Sequence, residues 1–505
     1  MMKLNGFKPF FVFIFCFLIF NSGGNNRVYY IDQLYGNDSN TGTSSDSAWA
    51  SISKLNEIET QPGDSILFCG GQVFQGTIQL KNWNGNAEKG VLISSYGEGS
   101  ATISGGNSEA FIADSCSYVE IKNLYFSGAG RKNGNTTSGV IISNSQNISV
   151  DSVKVSGFQK AGIKISDSQN IRITRVHAYE NGFTGILTGE AHNDPFRLLS
   201  KNIYIGYCTA ENNPGDPTIL NNHSGSGILI SGADSVVVEF CLAKNNGWDQ
   251  PWEGNGPIGI WAYHSNNVII QHCIAHSNKT NKKGLDGGGF DFDGGVTNSV
   301  MQYNLSYNNM GPGYGLYQYY GAAKWENNII RYNISINDGT EVDSCGLQLW
   351  NGQTVGPEMK NALIYNNVFY NDFGRAVNYK SGDVPGIVYW NNVFMSHMQP
   401  VMGEHTKSVF EKNLYQMIDS GIVVFNEDSM AIFADPKLII PDLSGFSFED
   451  PANLKNLDLF KPFSDSPLIG KGKLIPNNGG LDFGGNPLPA DSTVINIGVW
   501  QRKTE

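Results

Sequence analysis

With 505 residues, 60 of them Gly, 12% aromatic and only 16% charged, the chain is too aromatic for a disordered polymer and too glycine-rich for a helical one. High Gly, Asn and Ser beside many β-branched residues reads as an all-β fold with many turns. A formal net charge of -12 and the lack of a basic stripe argue against nucleic acid as a partner.

Residues 1–24 read as a secretory signal peptide. Lys3 and Lys8 precede an apolar run from Pro9 to Phe20, and small or polar residues follow from Ser22 to Gly24. The run is short for a membrane span, and no later segment is apolar enough for one. The expectation is a soluble monomer, secreted or held in the cell envelope; an uncleaved anchor is the alternative. Residues 25–110 read as an N-terminal cap followed by the first turns of a solenoid. Within them "SAWASISKLNEI", Ser47 to Ile58, reads as an amphipathic helix covering the N-terminal end.

Residues 111–433 carry a repeat. "YVEIKNL" ends at Leu124, "NISVDSV" at Val153, "NIRITRV" at Val176, "NIYIGYC" at Cys208, "VVVEFC" at Cys241 and "VIIQHC" at Cys273. The phrase continues to Asn304, Asn333, Asn367 and Asn392, with successive spacings of 29, 23, 32, 33, 32, 31, 29, 34 and 25. Each phrase alternates apolar and polar, which makes it a short strand. A second strand, such as "GIKIS", "GILIS", "GIWAY", "GFDFD" or "GLQLW", precedes most of these phrases. Two or three strands per turn with Asn, Gly and Asp corners define a right-handed parallel β-helix of roughly ten or more turns, stacked at ~4.8 Å. Beyond Ala434 the period fails, and residues 434–505 read as irregular C-terminal cap turns.

Cys208, Cys241 and Cys273 share a column with Asn304, Asn333 and Asn367, so they read as an interior ladder. Cys69, Cys116 and Cys345 complete the six cysteines downstream of Cys16. None forms a CxxC or a zinc-like spacing, and one disulfide between neighbouring rungs stays open.

The rungs such as "NIRITRV", the opening "YYIDQLYGNDSNTGTSSDSAWASISKLNEIETQPGDSILFCGG" and the closing "SPLIGKG" and "LDFGGNP" resemble the secreted right-handed parallel β-helix proteins of the pectate-lyase-like superfamily. The resemblance implies the fold and a role on polysaccharides, as lyase or glycoside hydrolase; it does not choose between them. No polygalacturonase-type NTD, DD and RIK set is present. "GGGFDFDGGVTNSV" loosely resembles the acidic calcium-and-base rung of one pectate-lyase group, but no lysine stands within it.

Aligned on their leading glycines, the preceding strands give two outward columns. One reads Leu187, Leu229, Trp261, Asp291, Tyr317, Gln348 and Asn378; the other reads Gly189, Ser231, Tyr263, Asp293, Tyr319, Trp350 and Lys380. Asp291 and Asp293 then share a face, between aromatic rungs. Mutual repulsion and exposed rings are both costs that disappear in a sugar-binding cleft. Asp286 and Asp343 occupy equivalent corners three residues before their strands. "GWDQPWEGNGP" adds Trp248, Asp249, Trp252 and Glu253 on a turn that could wall the cleft, and His223, His264, Lys282 and Lys283 border it.

These residues suggest a glycoside hydrolase acting on a poly- or oligosaccharide, with no cofactor. Asp293 and either Asp291 or Asp286 would be the acid and the base or nucleophile. Trp261, Tyr263, Tyr317, Tyr319, Trp350, Glu253, Asp343 and Lys380 would contact the sugar. The runner-up is a lyase on a uronate-containing glycan, with Ca²⁺ on Asp286, Asp291 and Asp293 and a base among Lys380, Arg375 and Lys324. A non-catalytic glycan-binding solenoid is the third reading; it would not need three clustered aspartates.

Overall fold

The computed structural model describes residues 26–189, 197–352, 359–419, 421–488 and 495–501. The proposed signal peptide, residues 1–24, lies outside them. Three long sheets wrap around one core. The first runs in 14 strands from Val28–Ile31 to Val409–Glu411, and the third in 14 strands from Val73–Gln75 to Ile432–Phe433. The second, of 12 strands, runs from Ile78–Lys81 to Val401–Met402. Every pairing between these strands is parallel and links one turn of the solenoid to the next, as in Ile228↔Ile260 followed by Ile260↔Phe290. The expected right-handed parallel β-helix is therefore the fold, with three strands per turn.

The corners explain the repeat. Between first and third sheets the chain turns through one left-handed residue, for example His272 at φ 51, Tyr303 at φ 56 and Tyr332 at φ 51. That turn points the next backbone N–H along the solenoid axis, away from any strand partner. A side chain from the following rung satisfies it: Cys273 N donates to Asn304 Oδ1 at 2.9 Å, Asn304 N to Asn333 Oδ1 at 3.1 Å, and Asn333 N to Asn367 Oδ1 at 3.0 Å. The column ends at Asp428, whose carboxylate accepts from Asn413. An acid suits that end, since the last member only accepts. All six cysteines of the described residues are free thiols, and Cys208, Cys241 and Cys273 are buried in this ladder.

A second ladder escaped the sequence reading. Asn181, Asn213, Asn246, Asn278 and Asn309 connect in the same way and end on Asp338, which accepts from Asn309 at 2.8 and 3.0 Å.

The expected helix over Ser47 to Ile58 is a correction: only Ile52–Leu55 is α-helical. Trp49 is held extended instead, donating its N–H to Tyr30 O and accepting from Asp32 N. Residues 438–488 and 495–500 lie along the outer face of the third sheet. There Leu242, Ile274, Leu305, Ile334, Val368, Val393 and Leu414 form one outward column. Leu438, Leu454, Leu459, Phe460, Leu468, Phe483, Ile497, Val499 and Trp500 bury it. Among the described residues no helix is long and apolar enough to cross a membrane.

Candidate active site

Asp291 is the middle residue of the second-sheet strand Phe290–Phe292, paired with Trp261 on the rung below and Gly315 on the rung above. Phe290 and Phe292 point into the core and fix the strand, so Asp291 must face outward. Asp293 continues the strand, donating its N–H to Ala262 O at 2.8 Å. Asp286 enters from the preceding turn. Left-handed backbone at Asp286 (φ 62) and Gly287 (φ 78) swings its carboxylate toward Gly256, whose N–H it accepts at 2.8 Å.

The three carboxyl groups differ in access. Asp291 is only 2% exposed, and its Oδ1 has no hydrogen-bond partner among the described residues. Asp286 and Asp293 are recessed yet reachable from solvent. All three are pushed above the usual carboxylate range, first by burial. Asp291 stands well above it, further raised by the charges of Asp293 and Asp286. Asp293 is pushed up to about 7; the Gly294 N–H opposes this and the charge of Asp286 adds to it. Asp286 reaches about 6, with Gly256 N–H and Lys380 holding it down. Three carboxylates this close cannot all be ionised near neutrality.

On the N-terminal side, the wall is packed aromatic. Trp261 is 3% exposed, donates Nε1 to Ser226 Oγ at 3.0 Å, stacks on Tyr263 at 5.3 Å and meets His223 edge-on at 4.8 Å. Phe183 and Leu187 close this cluster. The outward face expected to be open is thus covered here by the loops that carry Phe183, His223 and Ile258. Burial pushes His223 down to about 4, so its ring is neutral.

On the C-terminal side the register differs from the sequence reading. Phe290 pairs with Tyr314 and Asp291 with Gly315, so Tyr317 moves into the Asp293 column and pairs with Trp350. Tyr319 falls beyond the end of its strand, Tyr314–Gln318. The cause is Tyr314, which points inward and donates its hydroxyl to the Asn304 and Ile334 carbonyls at 3.0 Å. The Tyr317 ring folds back across Gly315, where an added Cβ would come within 2.7 Å of it, and its hydroxyl donates to Gln348 Oε1 at 3.0 Å. Gln348 Nε2 has no partner among the described residues. Trp350 is half-buried on this side. Lys380 sits at a register shift between Leu349 and Trp350 and pairs with Asp343 at 2.6 Å. Glu253 is brought to nothing in the site; it is exposed and pairs with Lys283 at 3.2 Å.

Among the described residues no group of three or more His, Cys, Asp and Glu side chains converges on one metal position. Two neighbours of the site went unread in the sequence, Gln318 and Trp325. Gln318 Oε1 accepts from Gly295 N at 3.2 Å, and Trp325 Nε1 donates to Phe292 O at 2.9 Å. Both are fully buried and clamp the turn after Asp293. Elsewhere, a cleft of about 500 Å³ lined by Asn84, Gln146, Gln169, Leu198 and Lys201 holds no aromatic ring and lies several rungs from the aspartates.

A family model described as "Right handed beta helix region" matches residues 200–369. The chain is 23% identical over 576 aligned residues to a lacto-N-biosidase of Bifidobacterium longum subsp. longum, covering 89% of this chain. It spans about a third (35%) of that relative's length. Among solved structures, the GH136 lacto-N-biosidase from Eubacterium ramulus matches with TM-score 0.53 and 18% identity, over 78% of this chain and 68% of that one. A mannuronan C-5 epimerase A-module from Azotobacter vinelandii matches with TM-score 0.54 and 14% identity, over 70% and 91%. At these identities the structural likeness shows the fold.

Proposed function

We propose that the protein is an exported glycoside hydrolase acting on an oligosaccharide, with Asp286 and Asp293 as its carboxyl pair. The carrying observation is that these two carboxyls are the reachable ones, raised to about 6 and about 7 on an aromatic-walled face. Between those values the pair holds one proton, so one group can protonate the leaving oxygen while the other acts as base or nucleophile. Asp291, buried beneath them, is held toward its uncharged form. Tyr263 and Trp350 offer a hydroxyl or a ring to the sugar, and Tyr317, 5% exposed with its hydroxyl on Gln348, backs them. The resemblance in sequence to a lacto-N-biosidase supports this class of reaction. Water adds across the glycosidic bond, so no cofactor is required.

The test is hydrolysis of p-nitrophenyl lacto-N-bioside and of a panel of oligosaccharides, read by released reducing ends. Asp286→Asn and Asp293→Asn should each lose at least about a hundredfold in rate. Chemical rescue of the alanine variants by azide assigns the roles within the pair. The lyase reading needs a basic side chain to take a proton, and two of its candidates are engaged: Lys380 with Asp343, and Lys324 with Glu326 at 2.6 Å. Absorbance near 235 nm rising with the reducing ends, and vanishing with chelator, would replace the hydrolase by that lyase.

A further inference from the structure

Loops from three successive turns meet at the rim of the aspartate face. Gly256 N donates to Asp286 Oδ2 at 2.8 Å, and Leu285 N donates to Gly254 O at 2.8 Å. Residues 251–256 therefore lie directly against the corner that carries Asp286. Trp252 belongs to this loop. One face of its ring rests on Gly254, where an added Cβ would come within 2.3 Å of Nε1 and 2.6 Å of Cζ2. The residue stays part-exposed, so the opposite face is the one left to solvent. From Gly254 to Gly256 is at most about 7 Å of extended chain, close enough for one oligosaccharide to touch both the ring and the Asp286 carboxyl.

A chain of amides fixes this ring and ends in an unused donor. An indole N–H can only donate. Trp252 Nε1 donates to Asn255 Oδ1 at 2.9 Å, so the Asn255 amide nitrogen faces the other way and donates to Asn222 Oδ1 at 2.9 Å. Asn222 Oδ1 also accepts from His223 N at 2.9 Å, and the His223 ring packs on Trp261 of the wall. The Asn222 amide nitrogen is thereby turned out of the network. It belongs to an exposed residue and has no partner among the described residues. The charged side chains of residues 247–256 are engaged elsewhere: Asp249 pairs with Lys132 at 2.6 Å and Glu253 with Lys283 at 3.2 Å. An open ring face beside unused amide protons suits a neutral pyranose, which has an apolar C–H face and accepting hydroxyl oxygens. Resting on the glycosidase reading above, we propose that Trp252 and Asn222 form a subsite beside Asp286 for a neutral sugar unit of the oligosaccharide.

The experiment measures lacto-N-biose binding by calorimetry on the Asp293→Asn protein, which needs no turnover, and KM for p-nitrophenyl lacto-N-bioside on the active one. Trp252→Ala should weaken binding and raise KM by about tenfold, with kcat, the pH profile and circular dichroism near wild type. Trp252→Phe keeps a ring and loses the bond to Asn255, so its affinity should stay within about threefold of wild type. Equal losses in the two variants would make Trp252 a mere tether of its loop and overturn the proposal. Gly254→Ala displaces the ring and should behave as Trp252→Ala does. Asn222→Ala should cost about fivefold in affinity. A digalacturonate should bind at least about tenfold more weakly than lacto-N-biose, since its carboxylates face the aspartates; equal binding overturns the neutral class. Unchanged affinity in Trp252→Ala, or no binding of either sugar to Asp293→Asn, overturns the subsite. Binding that is weakened by Trp252→Ala in a protein that hydrolyses no glycoside keeps the subsite and loses the glycosidase reading.

Discussion

Asp293→Asn should make the protein more stable at pH 8 while removing its activity. In the folded chain Asp293 titrates near 7 rather than at its ordinary 3.8, chiefly because burial disfavours the charged form. The folded state therefore holds this proton more tightly than the unfolded state. The stabilising effect is complete below about pH 4 and is lost as the pH rises through about 7. A shift of about three units at 1.36 kcal/mol each sets a ceiling of about 4 kcal/mol on the cost of ionising this group at pH 8. Part of that shift comes from Asp286 and part relaxes on ionisation, so about 2 kcal/mol is the working figure. Asparagine has the same shape and no charge, so it recovers this at pH 8 and recovers nothing at pH 4. With an unfolding entropy of about 2.1 cal/mol/K per residue over 505 residues, the gain corresponds to about 2 °C in Tm. Scanning calorimetry of both proteins at pH 4 and pH 8 measures it. Equal differences at the two pH values, or a loss at pH 8, would refute the reasoning that burial strains this carboxyl.

The same two pKa values set the rate profile: log kcat/KM should rise to about pH 6, where Asp286 ionises, and fall beyond about 7, where Asp293 loses its proton. An optimum above pH 8 would exclude this pair. Gly315→Ala should displace the Tyr317 ring, whose carbons stand 2.7 Å from the new Cβ, and cost roughly ten- to a hundredfold in kcat with a normal melting curve; full activity would show that Tyr317 is idle. Asn333→Leu should destabilise by about 3 kcal/mol or more in denaturant titration, because it orphans the buried Asn304 N–H and Met301 carbonyl. By contrast, Asn298→Ala, at an exposed corner with left-handed backbone (φ 53), should cost only about 1 kcal/mol.

The period and the interior column of cysteines and asparagines were legible because corner N–H groups need a partner on every turn. Each turn therefore repeats a polar residue in one place. The second ladder obeys the same spacing, 32, 33, 32, 31 and 29 from Asn181 to Asp338, and was hidden among neighbouring turn asparagines. The strand "GYGLYQ" offered two glycines as its start, and only the burial of Tyr314 decides between them. Alternation puts Tyr314 on the same inward side as Leu316 for either start, and its hydroxyl finds carbonyl acceptors inside, which extends the strand back to it. The aspartate face was legible as a face. Its partial closure was not, since the covering loops come from other rungs and share no period with the strands.

The segment along the third sheet changes how the molecule must come apart. The outward column there reads Lys154, His177 and Thr209 on early rungs and becomes apolar at Leu242. From that point residues 438–488 and 495–500 cross seven rungs, with Asn366 Nδ2 bonded to Gly498 O at 2.7 Å, Tyr303 to Leu481 O at 3.0 Å and Lys244 to Glu449 at 2.6 Å. A bare solenoid is a one-dimensional chain of neighbours and can fray rung by rung. Here no rung between Leu242 and Leu414 can open without lifting the strap from the others, so those rungs melt together while the early rungs fray alone. The aspartate rung lies inside the clasped half. Because the clasp follows every turn of the solenoid in the sequence, the geometry around Asp286 and Asp293 is locked only after all of those turns have been made.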